Sequence, residues 1–308
     1  MYAMKLELKE YIPIPELDAY CKTCKDTKKG PNNEEVVIWH KSAANSNGLS
    51  LEEINKYIWQ RRRNYHTNKK ITKFVEAVWR FVFYAIFVCY GFDALFVPET
   101  AEWVTDTKKH WDGWPYYDGT GGLSDTVKLY YMVELGSYLH QLMWTEVSRA
   151  DSIEMIVHHL ATIGLVVLSW LTNFCRVGSS ILLLHDLADI FLESAKTFNY
   201  ISKAKDGSRA WASPLCDFFF AGFATVFFVS RLIIYPRYIL YSVLVEVPMF
   251  LGPAWFGYYI FCALLILLQV LHIFWFYMIC RMIYRMVTTG IDKDERSDVD
   301  SDDEAAEV

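Results

Sequence analysis

Six stretches of this chain are each long and apolar enough to cross a bilayer as a helix, which takes about 20 residues. They run roughly from 74 to 97, 126 to 145, 153 to 174, 177 to 202, 211 to 235 and 254 to 284. Within hydrocarbon only helices and closed barrels satisfy their own backbone hydrogen bonds, and stretches of this length suit helices. The expected fold class is an all-α integral membrane protein with six transmembrane helices. Composition agrees, since 53% of the residues are apolar and 17% aromatic. A shorter apolar piece, 238 to 251, is interrupted by Glu246 and Pro248 and reads as a re-entrant or interfacial link. The polar loop from Pro98 to Asp125 carries Trp103, Trp111 and Trp114 and reads as a segment at the membrane interface.

Short loops rich in Lys and Arg stay cytoplasmic. Arg61, Arg62, Arg63, Lys69, Lys70 and Lys73 precede the first span; Lys203, Lys205 and Arg209 follow the fourth; Arg281 and Arg285 end the last. The opposite loops hold only Lys108, Lys109, Arg176 and Arg237, so both termini are expected in the cytoplasm. The first 50 residues contain neither an apolar run nor a cleavage site, so no signal peptide or N-terminal anchor is expected. Residues 292 to 308 are acidic and lack aromatics, which predicts a disordered tail. The seven cysteines show no disulfide spacing, and the lone Cys21-x-x-Cys24 pair has no second half to complete a zinc site.

The fourth span is the anomaly. Its run LLLHDLADIFLESAKTFNY places His185, Asp186, Asp189, Glu193 and Lys196 within twelve residues. His185, Asp189, Glu193 and Lys196 step by four, four and three, so they share one helix face. A charge at the centre of a span costs about 2.5–3.5 kcal/mol, so this face must turn inward, with pairs such as Glu193 and Lys196 offsetting part of the cost. The preceding span carries EMIVHHLAT, with His158 and His159 well inside it and Thr162 on the face of His158. The link between the two spans is so short that they must be antiparallel neighbours, which places His158 near Asp189 or Glu193. A histidine against a carboxylate in a dry cavity suits acid, base or nucleophilic chemistry.

These residues carry a resemblance. The run from Arg149 to Tyr200 is similar to the heart of the TLC domain of ceramide synthases, and HDLADIFLESAK resembles their Lag1p motif. KFVEAVWRFVFY at 73–84, the WDGWP around Trp111 to Pro115 and the ending LLQVLHIFWFYMICRMIYRMV with its acidic tail follow the same pattern. WQRRRN at 59–64 resembles the end of the homeobox-like region found in many animal relatives, but too little of it is present to build a DNA-reading domain, so no nucleic-acid partner is expected. The implied organisation is a cytoplasmic segment (1–72) with a truncated homeobox-like remnant, a TLC transmembrane catalytic domain forming a helical barrel (73–287), and an acidic cytoplasmic tail (288–308).

The resemblance implies N-acylation of a sphingoid long-chain base by a fatty acyl-CoA in the endoplasmic reticulum membrane, with acyl-CoA a co-substrate and no cofactor or metal. It implies catalysis by His158, as acyl acceptor or general base, with Asp189 and Asp186 activating the amine and His159 and His185 orienting. Arg149, Thr162, Glu193, Lys196 and Tyr200 are candidate substrate contacts, and Arg61 to Arg63, Lys203, Lys205 and Arg209 candidate ligands for the CoA phosphates. Ser297 and Ser301, each three residues before an acid, resemble acidophilic kinase sites of the family's tails. A homo- or heterodimer is compatible with the resemblance. The competing class is a non-enzymatic TLC-fold protein, a translocation helper or lipid sensor. A di-iron oxygenase would need more ligands than His140, His158, His159, His185 and His272 supply.

Overall fold

The structure, a computed structural model, describes residues 51–96, 101–115, 123–143, 152–202, 209–251 and 256–289, and these are all helix and connecting turns. The N-terminal 50 residues, Arg149, Lys203, Lys205, Ser297 and Ser301 lie outside the described residues, as do the side chains of Arg61 to Arg63. The chain divides into two compact units, Met1–Val75 with Val299–Val308, and Glu76–Asp298. In the first, the described backbone is helical from Leu51 onward. All the packing below belongs to the second.

In chain order the helices are α1 (Leu51–Phe96), α2 (Ala101–Thr105), α3 (Asp125–Met143), α4 (Ser152–Leu171), α5 (Cys175–Ser202), α6 (Ala212–Phe227), α7 (Val247–Leu251) and α8 (Phe256–Thr289). Four helical stretches are long and apolar enough to cross a membrane: Lys70–Phe96, Ile153–Leu171, Ala212–Met249 and Phe256–Thr288. The other two expected spans exist as α3 and α5, but their charged residues make them too polar to qualify by composition. Outward-facing Trp79, Ile86, Leu160, Phe218 and Ile273 are exposed, as apolar faces turned toward lipid would be.

Residues 238–251 are not a re-entrant link. From Phe228 the chain runs in π-helical turns, Phe228–Leu240 and Ser242–Glu246, and α7 continues the same rod. Pro236 sits within the first π segment, where its missing N–H cannot break a regular α ladder. Glu246, taken from sequence as an interruption, is buried and accepts a hydrogen bond from Thr107 Oγ1 at 2.9 Å.

Helix α5 packs against α3, α4, α6 and the first π segment; α8 packs against α4 and the same π segment; and α3 packs against α4. These contacts close a ring from α3 through α4, α8 and the π segment to α5 and back. The end of α1 leans on α3 and α5, where Tyr90 Oη donates to the Thr126 carbonyl at 3.0 Å and Leu95 is buried with Val127 and Leu183.

The antiparallel α4–α5 pair expected from sequence is present, and its turn has a definite mechanism. Asn173 adopts φ 59°, Phe174 N–H donates to Ser169 O at 2.7 Å and Asn173 N–H to Trp170 O at 3.3 Å. That is a Schellman ending with asparagine in the left-handed position, which reverses the chain within one residue of the last helical turn. Across it, Trp111 and Trp114 pack on Phe174, Trp111 Nε1 donates to Ser242 Oγ at 3.0 Å, and Trp114 Nε1 donates to Thr172 O at 2.8 Å. Arg176 donates to the carbonyls of Lys109 and Asp112. Trp103 and Trp111 are buried, with ring N–H or ring faces partnered inside the protein, and act as clamps.

Two close approaches set the helix spacing around α5. A Cβ on Gly178 would lie 1.5 Å from Tyr131 Oη, whose hydroxyl donates to Ser169 Oγ at 2.9 Å. A Cβ on Gly222 would lie 2.8 Å from Phe191 Cδ1. Small residues that let backbones approach are a general device of membrane helices. Gly178→Ala is expected to cost about 1–3 kcal/mol by overpacking. A thermal unfolding assay in detergent should show the loss, with partial recovery in the Gly178→Ala, Tyr131→Phe double variant.

His110, in the 3₁₀ turn Thr107–His110, is buried between Trp103 and Trp111. Burial, with the Arg176 guanidinium nearby, holds its imidazole down at about 4 against an ordinary 6.5. The unfolded chain therefore binds a proton more readily than the folded one between those values, so stability present above pH 6.5 is lost as pH falls toward 4. The full loss is about 3 kcal/mol. Melting temperature measured from pH 7 to 5 should fall more steeply for the wild type than for His110→Phe.

Candidate functional site

Helix α5 places its polar face in the interior of the ring, and other helices bring partners to it. His185 Nδ1 lies 2.7 Å from the Ile181 carbonyl, so it carries the proton and donates. His185 Nε2 is then an acceptor, and His272 Nε2, on α8 at 3.0 Å, donates to it. Tyr235 of the π segment stands edge-on to both rings and is held there by its hydroxyl bond to Leu265 O at 3.0 Å. The His158 ring on α4 stacks on His185 at 6.3 Å between centroids, with Trp275 of α8 edge-on at 5.1 Å and His159 alongside. Three helices thus build a buried imidazole array, and His158 Nδ1 has no hydrogen-bond partner among the described residues.

The neighbour of His158 differs from the expectation. Its ring faces His185, not Asp189 or Glu193. A stripe of four-residue steps on a helix of 3.6 residues per turn drifts by about 40° at each step. His185 consequently faces α4 and α8, while Asp189 has moved round toward the π segment, where Arg231 Nη2 lies 4.0 Å from Asp189 Oδ2. Arg231 also donates to the His185 carbonyl at 2.6 Å and lies 4.9 Å from the Phe227 ring centre. One turn further on, Lys196 Nζ donates to buried Glu193 Oε1 at 2.7 Å, the pairing anticipated from sequence.

Asp186 points to a different neighbourhood. It is buried against α3, where Tyr130 Oη donates to Asp186 Oδ2 at 3.4 Å and Glu134 is also buried. His159 bridges the two halves, since its ring packs on Tyr138 of α3 at 6.3 Å. A small cavity of about 20 Å³ lies between them, lined by Tyr138, Thr162, Ser169, Gly178 and His185 and closed by aliphatic side chains. Such a volume holds about one water.

The structure therefore gathers His158, His159, His185, Asp186 and Asp189 around one interior. Thr162 lines the cavity, but its hydroxyl donates back to the His158 carbonyl at 2.9 Å and is committed to its own helix. Tyr200 lies eleven residues beyond Asp189, about 16 Å along the helix, and Lys196 about 10 Å, so neither shares the interior with His158. Sequence reasoning missed Arg231, Tyr235, Glu134 and Tyr130, and assigned His272 no role. Arg231 and Glu134 carried a usable signal: a charge in the middle of a mostly apolar helical stretch must have a partner there. Tyr130 and Tyr235 carried none. Among the described residues no three His, Cys, Asp or Glu side chains converge as a metal site requires, and none of the five described cysteines is in a disulfide.

A family model described as the TLC domain matches residues 73–281. The chain is similar to ceramide synthase 5 of Homo sapiens, 37% identical over 253 residues, 81% of this chain and 60% of that protein. It is similar to ceramide synthase 4 of Mus musculus, 34% identical over 294 residues, 94% of this chain and 68% of that protein. It is also similar to ceramide synthase LOH2 of Arabidopsis thaliana, 36% identical over 247 residues, 77% of this chain and 78% of that protein. The chain spans about three fifths of the human relative's length. With the domain covering most of the chain and relatives from animals and a plant agreeing, the chain belongs to the TLC-domain family, in its ceramide synthase group.

Proposed function

We propose that this protein is a sphingoid-base N-acyltransferase that moves a fatty acyl group from acyl-CoA to the amine of a long-chain base, giving ceramide or dihydroceramide. The observation that carries the reading is the buried array in which His158 stacks on a tautomer-fixed His185, with the Asp189 carboxylate one turn further along the same helix. The reaction balances without a redox partner. The thioester C–S bond breaks, the amide C–N bond forms, and the proton lost by the amine ends on the CoA thiol. A thioester already has a good leaving group, so the demands on the protein are an imidazole able to attack or to accept a proton, and a carboxylate to receive a proton from the incoming ammonium.

In this reading His158 takes the acyl group or acts as general base, and Asp189 activates the amine. Asp186, in contact with Tyr130, is a supporting group, and His159 and His185 orient the array. The bilayer supplies both lipid chains, and the six helices α1, α3, α4, α5, α6 and α8 each cross it, with termini in the cytoplasm and the protein in the endoplasmic reticulum. Arg209 stands at the cytoplasmic mouth, where CoA phosphates would meet positive charge. Acyl-CoA is a co-substrate in this scheme and no cofactor is required.

Membranes carrying the wild type, incubated with a labelled sphingoid base and acyl-CoAs of graded length, should form ceramide. His158→Ala and Asp189→Asn, matched for protein amount, should each lower the rate by about 100-fold or more. An inert wild type across the whole acyl-CoA panel would turn the assignment toward a non-enzymatic TLC-fold helper or lipid sensor.

A further inference from the structure

We infer that Arg231 is a positioning residue for the Asp189 carboxylate, an inference that rests on the acyl-transfer reading above. Three contacts hold this guanidinium in place. Its Nη2 donates to the His185 carbonyl at 2.6 Å, the same nitrogen lies 4.0 Å from Asp189 Oδ2, and its carbon lies 4.9 Å from the Phe227 ring centre. The carbonyl of His185 is the helical acceptor for the Asp189 N–H four residues on. Arg231 thus grips the single turn of α5 that sets the spacing between the His185 ring and the Asp189 carboxylate.

The other charged groups around Asp189 are differently engaged. On its own helix, Lys196 is bound to Glu193 at 2.7 Å, and Asp186 adds another carboxyl facing Tyr130. From α1, Tyr84 donates to Gln141, and Arg80, well exposed, lies 3.9 Å from Glu76. From α3 come Glu134 and Tyr138, which bring no positive charge. Among the described residues Arg231 is therefore the buried cation that answers Asp189. A carboxylate that is to take a proton at the depth of a bilayer needs both a counter-charge and a fixed direction, and the guanidinium supplies both.

The π segment makes this possible. Arg231 lies in its first turns, with Ser230 and Tyr235 also buried, so the wide turns deliver three inward polar side chains within six residues. Local π-helix is frequent at functional sites for this kind of reason. The Arg231 Nε–H is buried and has no partner among the described residues, so the guanidinium is committed to α5 through one end only.

The test is a double-mutant cycle on the full chain in detergent micelles containing lipid, with kcat and KM measured separately for sphingoid base and acyl-CoA. Arg231→Gln should lower kcat by about 100-fold while both KM values move less than about threefold. Arg231→Lys should recover part of that loss, since it keeps the charge and loses the fork. Added to Asp189→Asn, Arg231→Gln should cost no more than a further twofold or so, because residues acting as a unit are non-additive. A merely structural arginine would reduce the yield of monodisperse protein yet leave kcat per folded molecule unchanged, and that result overturns the proposal. Losses that multiply in the double variant overturn it as well. Where Arg231→Gln fails to fold, the lysine variant carries the same comparison against Asp189→Asn. An inert wild type removes the acyl-transfer reading and the Arg231 role together, whereas an active wild type with an equally active Arg231→Gln removes the Arg231 role alone.

Discussion

The architecture depends on one constraint: the charged face of α5 is buried and has to be matched there. An ionised group buried without a partner is costly, so the helix is stable only if it is answered group by group. They do. Lys196 answers Glu193, Arg231 answers Asp189, Tyr130 answers Asp186 and His272 answers His185. Lys196 answers from α5 itself, and because the other three partners come from the π segment, α3 and α8 in turn, satisfying α5 forces those elements to surround it. The ring of helices is the geometric consequence of burying one polar face.

That logic also sets the limits of what the sequence disclosed. Helix positions were legible because apolar runs of about 20 residues admit few alternatives. The Glu193–Lys196 pair was legible because it is local, three residues apart on one helix. The His158–His185 stack was not, because it depends on how far a stripe has rotated by the time it meets another helix. Arg231, Glu134 and His272 lie far from α5's charges in sequence, and only the packed structure places them there. The clamping role of Trp111 and Trp114 was also hidden, since the same residue type serves at a membrane boundary and in a clamp over a turn.

The π segment was equally hidden. Nothing in FVSRLIIYPRYIL announces a wider helix, although Pro236 signals that a regular one would be strained. Its effect is to carry Arg231 and Tyr235 to opposite sides of His185, one on the backbone carbonyl and one edge-on to the ring. His185 is thereby fixed at its Nδ1 by Ile181, at its Nε2 by His272, at its carbonyl by Arg231 and on its face by His158. Three of these contacts fix the ring and the fourth fixes its backbone, so His185 is held in place. His158 Nδ1, like the Nδ1 atoms of His159 and His272, has no partner among the described residues, so these imidazoles are less constrained than His185.

The size of the interior bears on how lipids reach it. A cavity of about 20 Å³ beside Thr162 and His185 admits about one water and no acyl chain. In the acyl-transfer reading, a chain entering this cavity would displace its lining side chains. The candidates differ in cost: Trp111 stacks edge-on against Phe174 and donates to Ser242, and Tyr258 donates to the Val243 carbonyl, so opening there breaks polar bonds in a buried setting. Leu165, Val166, Leu182 and Leu268 line the cavity with no polar bond to break, and an entering hydrocarbon replaces one apolar contact with another. The side-chain layer that yields most readily is thus the aliphatic one, and the tryptophan clamp keeps the helices in register while it does so.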